Sequence, residues 1–364
     1  MTRIRINRVI GVILSAGFLA LVGCAPKPMI SYSTDTPPLI LAPASMADCI
    51  DGRARFREIF CAVTELHGRE LPDYRPCAEA LVRLANEAEP TNAPVDLSVS
   101  HTGFKVLVVL GLGAKCIENF IDYKMTVITH LSGLGYKTGI IAVEPLSSSM
   151  RNAGIIRQPV MAMPPESEDE RMILIGYSKG APDILEAVAT YPDFQQRVAA
   201  VVSVAGAVGG SPLANTTTQS MVNLFQHFPE AECELGDEGA LDSLKPEVRK
   251  KWLADHPLPE SIRYYSVVTY PDEAHLSSLL KSSYRKLSQA DSRNDSQVIF
   301  YDQVIPGSVL LGYLNADHWA AAVPLNRTQS FLVSSFVNKN AFPREVLAEA
   351  VVRFVEEDLN SNTR

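Results

Sequence analysis

The chain has no excess of basic residues and, beyond its first 23 residues, no long apolar run. Lysine and arginine number 33 against 41 aspartates and glutamates, which gives a formal net charge of −8. An acidic chain lacks the broad attraction to phosphate backbones that nucleic-acid binding needs. A bilayer span takes about 20 consecutive apolar residues. We therefore expect no nucleic-acid partner, and no membrane-spanning helix after residue 23.

The usual patterns of metal and redox sites are also missing. There is no C-x-x-C, and no group of histidines and cysteines has the spacing of a zinc site. We therefore expect no metal and no organic cofactor. Five cysteines follow Cys24, and an odd number leaves at least one outside an intramolecular disulfide. Cys61 and Cys77 are the disulfide candidates, because the predicted helices 56–66 and 76–86 could fold back on each other; buried free thiols are the alternative.

The first 23 residues have the pattern of a secretory signal. Basic residues precede an apolar run over 9–22, which is too short for an ordinary membrane span. The run ends in Leu21-Val22-Gly23-Cys24, which resembles the lipobox of bacterial lipoproteins. That resemblance implies cleavage before Cys24, a lipid on Cys24, and attachment in the bacterial cell envelope. Alanine rather than aspartate follows the cysteine, which favours the outer membrane, facing the periplasm or the surface. A secreted protein with an incidental Cys24 is the alternative.

The mature chain divides into three predicted parts. They are a lipidated tether rich in Pro, Ser and Thr over 24–45, a helical appendage over 46–95, and a main domain over 96–360. Within the main domain, continuous Val/Ile/Leu runs alternate with helical stretches, which indicates a parallel sheet covered on both faces. The strand-like runs are 104–110, 138–143, the run ending at 175, 198–204 and 262–270. Residues 212–260 lack such runs and are predicted to be an insertion in the position of a lid.

A serine in a tight turn is the main chemical feature of the sequence. Gly176-Tyr177-Ser178-Lys179-Gly180 follows an apolar run that ends at Ile175 and precedes a helical stretch from Ala181. A G-x-S-x-G pentapeptide at a strand-to-helix junction presents its serine as a nucleophile. Side chains at the two glycine positions would collide with the neighbouring strand and helix. An ordinary structural turn is the alternative.

A serine nucleophile needs a base and an acid that orients the base. Four histidines follow Ser178, and His318 is the predicted base because it follows the last strand-like run; His275 is the reserve. Asp295 is the predicted acid. It lies in Asn294-Asp295-Ser296-Gln297-Val298, which resembles the N-D-G-x-V segment of bacterial triacylglycerol lipases with Ser296 in place of glycine. Asp302 is the competing acid, and either aspartate could instead be a turn residue.

Two backbone N–H groups are the predicted holders of the oxyanion. One is the N–H of Lys179, which follows the nucleophile, and the other is the N–H of Leu112. Leu112 lies in Leu110-Gly111-Leu112-Gly113, which resembles the H-G-L/F loop of lipases with Leu110 in place of the histidine. A glycine-rich strand end without a catalytic part is the alternative.

Together these motifs resemble the α/β-hydrolase superfamily, nearest to bacterial triacylglycerol lipases and esterases, over about residues 100–325. The resemblance implies a serine carboxylester hydrolase that acts on a hydrophobic ester or lipid through an acyl-enzyme, without a cofactor. The chain departs from the lipases at Tyr177-Ser178-Lys179, where His-Ser-Gln or His-Ser-Met is common. A lipid-anchored binding or assembly protein that keeps the hydrolase scaffold without turnover is the alternative, because fold does not fix function.

Overall fold

A computed structural model describes most of the main domain and part of the segment before it. The described residues are 49–84, 87–100, 104–113, 127–164, 170–217, 236–327 and 337–362. The predicted signal, Cys24 and the tether lie outside these residues, as does the middle of the predicted insertion, 218–235. Among the helices of the described ranges, none combines the length and the apolar character that a bilayer span requires.

Within the described residues, eight strands form one sheet in the order β1-β8-β7-β6-β5-β3-β4, with β2 also paired to β8. The strands are β1 (Ile50–Asp51), β2 (Leu81–Val82), β3 (Lys105–Val109), β4 (Lys137–Ile141), β5 (Met172–Tyr177), β6 (Val198–Val204), β7 (Arg263–Thr269) and β8 (Val309–Leu314). All neighbouring pairs are parallel except β2 with β8. The predicted α/β fold with a mostly parallel sheet is thus confirmed.

Helices cover both faces of this sheet. They are α1 (Arg53–Leu66), α2 (Cys77–Ala80), α3 (Thr129–Gly133), α4 (Ser149–Ala162), α5 (Gly180–Thr190), α6 (Pro192–Gln195), α7 (Ala240–Ser243), α8 (Pro246–Asp255), α9 (Lys281–Leu287) and α10 (Arg344–Asn362). Apolar side chains of α1, α3 and α10 pack on one face, and those of α4 and α5 pack on the other. Every residue of β5 and β6 is buried, which explains why these strands are continuous Val/Ile/Leu/Ala runs rather than alternating ones.

The segment before the main domain takes part in the sheet. β1 runs parallel to β8, with Ile50 opposite Val309, and β2 runs antiparallel to it, with Leu81 opposite Leu314. The structure therefore differs from the prediction of a purely helical segment: the predicted helix 76–86 is only the four residues of α2, because the next two residues pair with β8 instead. Cys61 of α1 and Cys77 of α2 are joined by a disulfide bond.

The strand order creates a crevice at the carboxyl ends of β3 and β5. The chain runs from β3 outward to β4 and then returns to the other side of β3 to form β5. Connections that leave neighbouring parallel strands in opposite directions open a gap above the sheet, which is where open α/β sheets bind ligands. The loop 110–113 follows β3 and Ser178 follows β5, so both enter this crevice.

Candidate active site

Ser178 occupies a strained turn between β5 and α5. Its φ is 54°, a left-handed backbone conformation that residues other than glycine rarely adopt. A Cβ at Gly176 would lie 2.5 Å from Ala181 Cα, and a Cβ at Gly180 would lie 2.2 Å from the Val109 carbonyl oxygen. Neither position has room for a side chain, as the sequence predicts. The turn therefore raises the Ser178 hydroxyl above the sheet at the crevice.

A line of hydrogen bonds joins Ser178, His318 and Asp295. The Ser178 hydroxyl lies 2.8 Å from His318 Nε2, and His318 Nδ1 lies 2.7 Å from Asp295 Oδ2. His318 is delivered by the turn after β8, and Asp295 by the loop that follows α9. His318 is 4% exposed and Asp295 is fully buried. The geometry allows Ser178 to donate its proton to His318 while Asp295 accepts the other ring N–H.

Both oxygens of the Asp295 carboxylate accept hydrogen bonds from donors other than His318. Oδ1 accepts from the backbone N–H groups of Gln297 and Val298, at 2.9 and 2.7 Å. Oδ2 accepts from Thr269 Oγ1 at 2.5 Å and from Gln303 Nε2 at 3.3 Å. Such donors stabilise the ionised carboxylate and fix its orientation.

Ser296 stands where the lipase pattern N-D-G-x-V has glycine, and its backbone conformation shows how the turn is kept. Its φ is 82°, so it adopts the left-handed conformation for which glycine is favoured at this position of N-D-G-x-V. Its N–H donates to Asn294 Oδ1 at 2.9 Å, which closes the turn around Asp295. The backbone shape is thus retained although the residue differs.

The two reserve residues lie elsewhere. The Asp302 carboxylate packs against Gly209, where an added Cβ would lie 2.4 Å from Oδ1. Burial raises the pKa of Asp302 to about 7, and the charge of Lys250 opposes this shift. His275 Nδ1 lies 2.6 Å from Asp272 on a short helical turn. The structure thus brings His318 to Asp295 and not to Asp302, and brings Ser178 to His318 and not to His275.

The two residues predicted to hold the oxyanion border Ser178. A Cβ at Gly111 would lie 2.6 Å from Ser178 Cβ, so the loop that contains Leu112 passes directly over the serine. Lys179 is the N-cap of α5, and the N–H groups at a helix start have no partner within the helix. The Lys179 ammonium points away into the interior and lies 2.7 and 2.9 Å from the Asp183 carboxylate oxygens. Its charge is therefore compensated behind the turn.

Three residues that hold His318 and Asp295 in place are not among those predicted from the sequence. Tyr177 donates its hydroxyl proton to the His318 carbonyl at 2.7 Å, and its ring packs at 5.3 Å from the His318 ring. Thr269 and Gln303 hydrogen-bond to Asp295. Thr269 could have been suspected, since it ends a strand at the carboxyl edge of the sheet. Gln303 has no local sequence signal.

An apolar cavity lies beside the site, between the sheet and α10. It contains about 680 Å³ of empty space, including its open mouth. Its walls include Val108, Leu110, Ile175, Tyr177, Leu347 and Val351. Leu110 precedes the loop over the serine and Tyr177 precedes the serine itself, so two of the lining residues are chain neighbours of the candidate site. Ester substrates with an apolar part could extend into it.

Comparisons with known proteins find similar solved structures. No family model matches the chain, and no curated protein matches it. Among solved structures, the chain is similar to the metagenomic carboxyl esterase MGS0156, with 41% sequence identity, a TM-score of 0.82, and coverage of 89% of this chain and 97% of that one.

Two more distant structures share the fold. A lipase from Staphylococcus hyicus is 11% identical, with a TM-score of 0.53 over 73% of this chain and 99% of that one. EstA from Clostridium botulinum is 12% identical, with a TM-score of 0.51 over 82% and 98%. Because the identity to the esterase is high over nearly the full length of both chains, this chain belongs to the carboxyl esterase family of serine hydrolases with the α/β-hydrolase fold.

Proposed function

We propose that the chain hydrolyses a hydrophobic carboxylic ester with Ser178 as nucleophile, His318 as base and Asp295 as the acid that orients the base. The observation that carries the proposal is the line of two hydrogen bonds, 2.8 and 2.7 Å long, from the serine hydroxyl through the imidazole to a buried carboxylate. A nucleophile, a base and an orienting group in this order are the geometric signature of acyl transfer.

The first half of the reaction forms an acyl-enzyme. His318 Nε2 takes the proton of the Ser178 hydroxyl while the oxygen attacks the ester carbonyl carbon. Asp295 keeps the other ring nitrogen protonated, so that Nε2 is free to accept, and it stabilises the imidazolium that forms. His318 then gives the proton to the departing alkoxide, and the alcohol leaves.

The second half repeats these steps with water. His318 takes a proton from a water molecule, which attacks the acyl carbon, and the acid is released as Ser178 regains its proton. In both halves the carbonyl oxygen becomes negatively charged. In this proposal the N–H groups of Lys179 and Leu112 donate to that oxygen. No metal or organic cofactor takes part in this scheme.

The cavity between the sheet and α10 supports the proposal that the substrate is hydrophobic. Apolar side chains line it, and its walls include Tyr177 and Leu110, which precede the serine and the loop over it in the chain. Burial of an acyl chain there would contribute about 0.8 kcal/mol for each methylene group. An ester with a small acid would use the same three catalytic residues without this contribution.

Attachment to a membrane is a further part of the proposal. The lipobox-like sequence that ends at Cys24 supports a lipid on that residue. The lipid would hold the protein at a membrane surface, where hydrophobic esters also collect. The bacterial outer membrane is the proposed location. Incorporation of labelled palmitate in a Gram-negative host would test the lipidation. Cys24→Ser is the variant that should lose both the label and the membrane association.

Fluorophosphonate labelling tests the proposed chemistry, because the probe reacts with an activated serine and needs no knowledge of the substrate. We expect wild-type protein to be labelled, and Ser178→Ala and His318→Ala to remain unlabelled. Asp295→Asn should lose hydrolysis of a nitrophenyl ester by about 10⁴-fold, as an orienting carboxylate typically contributes. Asp302→Asn is the matched control and should keep both reactions. Folded protein that takes up no probe would favour a non-catalytic scaffold instead.

A further inference from the structure

Two histidines and a glutamate meet where α1, α3 and α10 come together, outside the serine site. His67 is the C-cap of α1, His130 lies on α3, and Glu349 lies on α10. His67 Nδ1 is 3.0 Å and His130 Nε2 is 2.7 Å from the same oxygen, Oε2 of Glu349. The three potential ligand atoms all lie within 4.8 Å of one another. One point in space is therefore surrounded by two imidazole nitrogens and one carboxylate oxygen.

We propose that His67, His130 and Glu349 bind a divalent transition-metal ion, with Zn²⁺ as the best match. Two imidazoles and a carboxylate are a common zinc ligand set, with metal–ligand distances of about 2.0 to 2.2 Å. Ligands at those distances in a tetrahedron lie about 3.3 Å apart. The observed separations of 3.0 and 2.7 Å from Glu349 Oε2 would have to open by about 0.3 and 0.6 Å. The two imidazole nitrogens, which lie within 4.8 Å of each other, would have to come to the same spacing, and rotations of the two rings, which meet nearly edge to face at 81°, would have to supply these changes.

The charge state of Glu349 suits a cation. Burial alone would raise the pKa of its carboxyl group, but hydrogen bonds from His130, His67 and Arg353 outweigh burial and hold the pKa below its usual value. The carboxylate is fully buried, and its other oxygen accepts from Arg353 Nε at 2.8 Å. A hydrogen bond of this kind orients a ligating carboxylate. Without a metal, the imidazoles donate N–H to Oε2; on binding, both would coordinate through the deprotonated nitrogen.

An ion can reach the site from solvent. The side chains of His67 and His130 are 25% and 13% exposed, whereas Glu349 forms the closed end. Three protein ligands leave a fourth position for water. Because the three residues come from distant parts of the chain, a bound ion would tie α1 and α3 to α10. We therefore assign the site a structural role, separate from ester hydrolysis.

Calorimetric titration with Zn²⁺ is the direct test. The purified protein is first treated with a chelator and dialysed. We expect one site per chain, and a dissociation constant at least about 100-fold weaker in His130→Ala and in Glu349→Gln, since even outer-shell partners of zinc ligands contribute 10 to 100-fold. His275→Ala is the matched control, because it removes another histidine hydrogen-bonded to a carboxylate. It should bind Zn²⁺ as the wild type does.

Glu349→Gln removes a buried partner of Arg353 and could unfold the protein, so a second measurement uses the wild type alone. X-ray absorption at the zinc edge should find two imidazole ligands on the bound ion. Absence of binding at millimolar Zn²⁺, an affinity that His130→Ala leaves unchanged, or a zinc environment without two imidazoles would each overturn the proposal. In those cases His67, His130 and Glu349 form a hydrogen-bonded group that binds no metal.

Discussion

Ser178 and Ser296 both have left-handed backbones, with φ of 54° and 82°. Ser178 must be a serine if it is the nucleophile, so its strain belongs to the chemistry. Ser296 has no such need, because only its backbone shape matters to Asp295. Its hydroxyl is buried and, among the described residues, has no hydrogen-bond partner. The two strained serines therefore respond differently to substitution.

Ser296→Gly is expected to stabilise the protein. Glycine adopts the left-handed conformation without the cost of about 1 to 2 kcal/mol that a Cβ brings, although the more flexible unfolded chain offsets part of this gain. We expect the free energy of unfolding to rise by about 1 kcal/mol in urea denaturation, with ester hydrolysis unchanged. Ser292→Gly, an exposed residue of the same loop without a positive φ, is the control and should not stabilise. Destabilisation by Ser296→Gly would contradict this account.

Asp302 should make stability depend on pH. Its pKa is raised by burial from 3.8 to about 7, so between these values the folded chain holds a proton that the unfolded chain has lost. Stability is therefore expected to fall as pH rises from about 4 to about 7, by at most a few kcal/mol. In Asp302→Asn this part of the fall should disappear from urea denaturation curves measured across that range. An unchanged pH profile would mean that Asp302 is not the responsible group.

At the scale of elements, α1 and α2 are held together by a covalent bond. The disulfide between Cys61 and Cys77 closes a loop with a sequence separation of 16 residues. A loop of that length is expected to contribute about 3 kcal/mol by restricting the unfolded chain. The double variant Cys61→Ser, Cys77→Ser should lose about that much unfolding free energy. Dithiothreitol should destabilise the wild type and leave the double variant unaffected, which distinguishes loss of the bond from loss of packing.

Helix α8 attaches the described part of the predicted insertion to the main domain through Arg249. That side chain is 1% exposed, donates from Nε to the Val208 carbonyl at 3.0 Å, and lies over the Trp252 ring. Burial lowers the pKa of Arg249 to about 10, while the charges of Glu186 and Asp183 act in the opposite direction. The buried guanidinium group of Arg249 thus attaches the described part of the insertion to the main domain.

Arg249→Ala is expected to loosen this helix. It leaves the Val208 carbonyl without its donor and removes a large buried side chain, which together should cost about 2 to 3 kcal/mol. Limited proteolysis should then cut within 236–255 faster than in the wild type. Lys250→Ala, the neighbouring position, is the control and should be cut at the wild-type rate. Equal cutting of both variants would show that Arg249 does not hold the helix.

At the scale of the whole molecule, the cavity between the sheet layer and α10 should decide which esters react well. Ala348 of α10 lines it, and Ala348→Phe would fill part of its volume. We expect kcat/KM to fall about tenfold or more for long-chain esters and to change little for acetate esters. Ala341→Phe, at an exposed alanine just before the helix, is the control. Equal losses for short and long esters would argue against acyl binding in the cavity.

The central part of this architecture is predictable from the sequence because local patterns determine it. Strands β5 and β6 are buried on both faces, so their apolar runs are visible without any partner, and the turn at Ser178 has a steric requirement that only glycine meets at two positions. β1 and β2 have two residues each, too few for a pattern, and exist because β8 offers them an edge. Gln303 and the group of His67, His130 and Glu349 depend on contacts between distant segments, which no spacing reveals.

The pairing of β1 with β8 has a kinetic consequence. Ile50 cannot find Val309 until nearly the whole chain has been synthesised and the intervening strands are in order. Contacts between such distant positions form late, since the entropy of closing the long loop must be overcome first. Until then the part of the β8 edge around Val309 and Leu310 is unpaired, and unpaired strand edges are where partly folded chains associate with one another. Refolding yield should therefore depend on protein concentration, with Ile50 and Asp51 pairing last to complete the sheet.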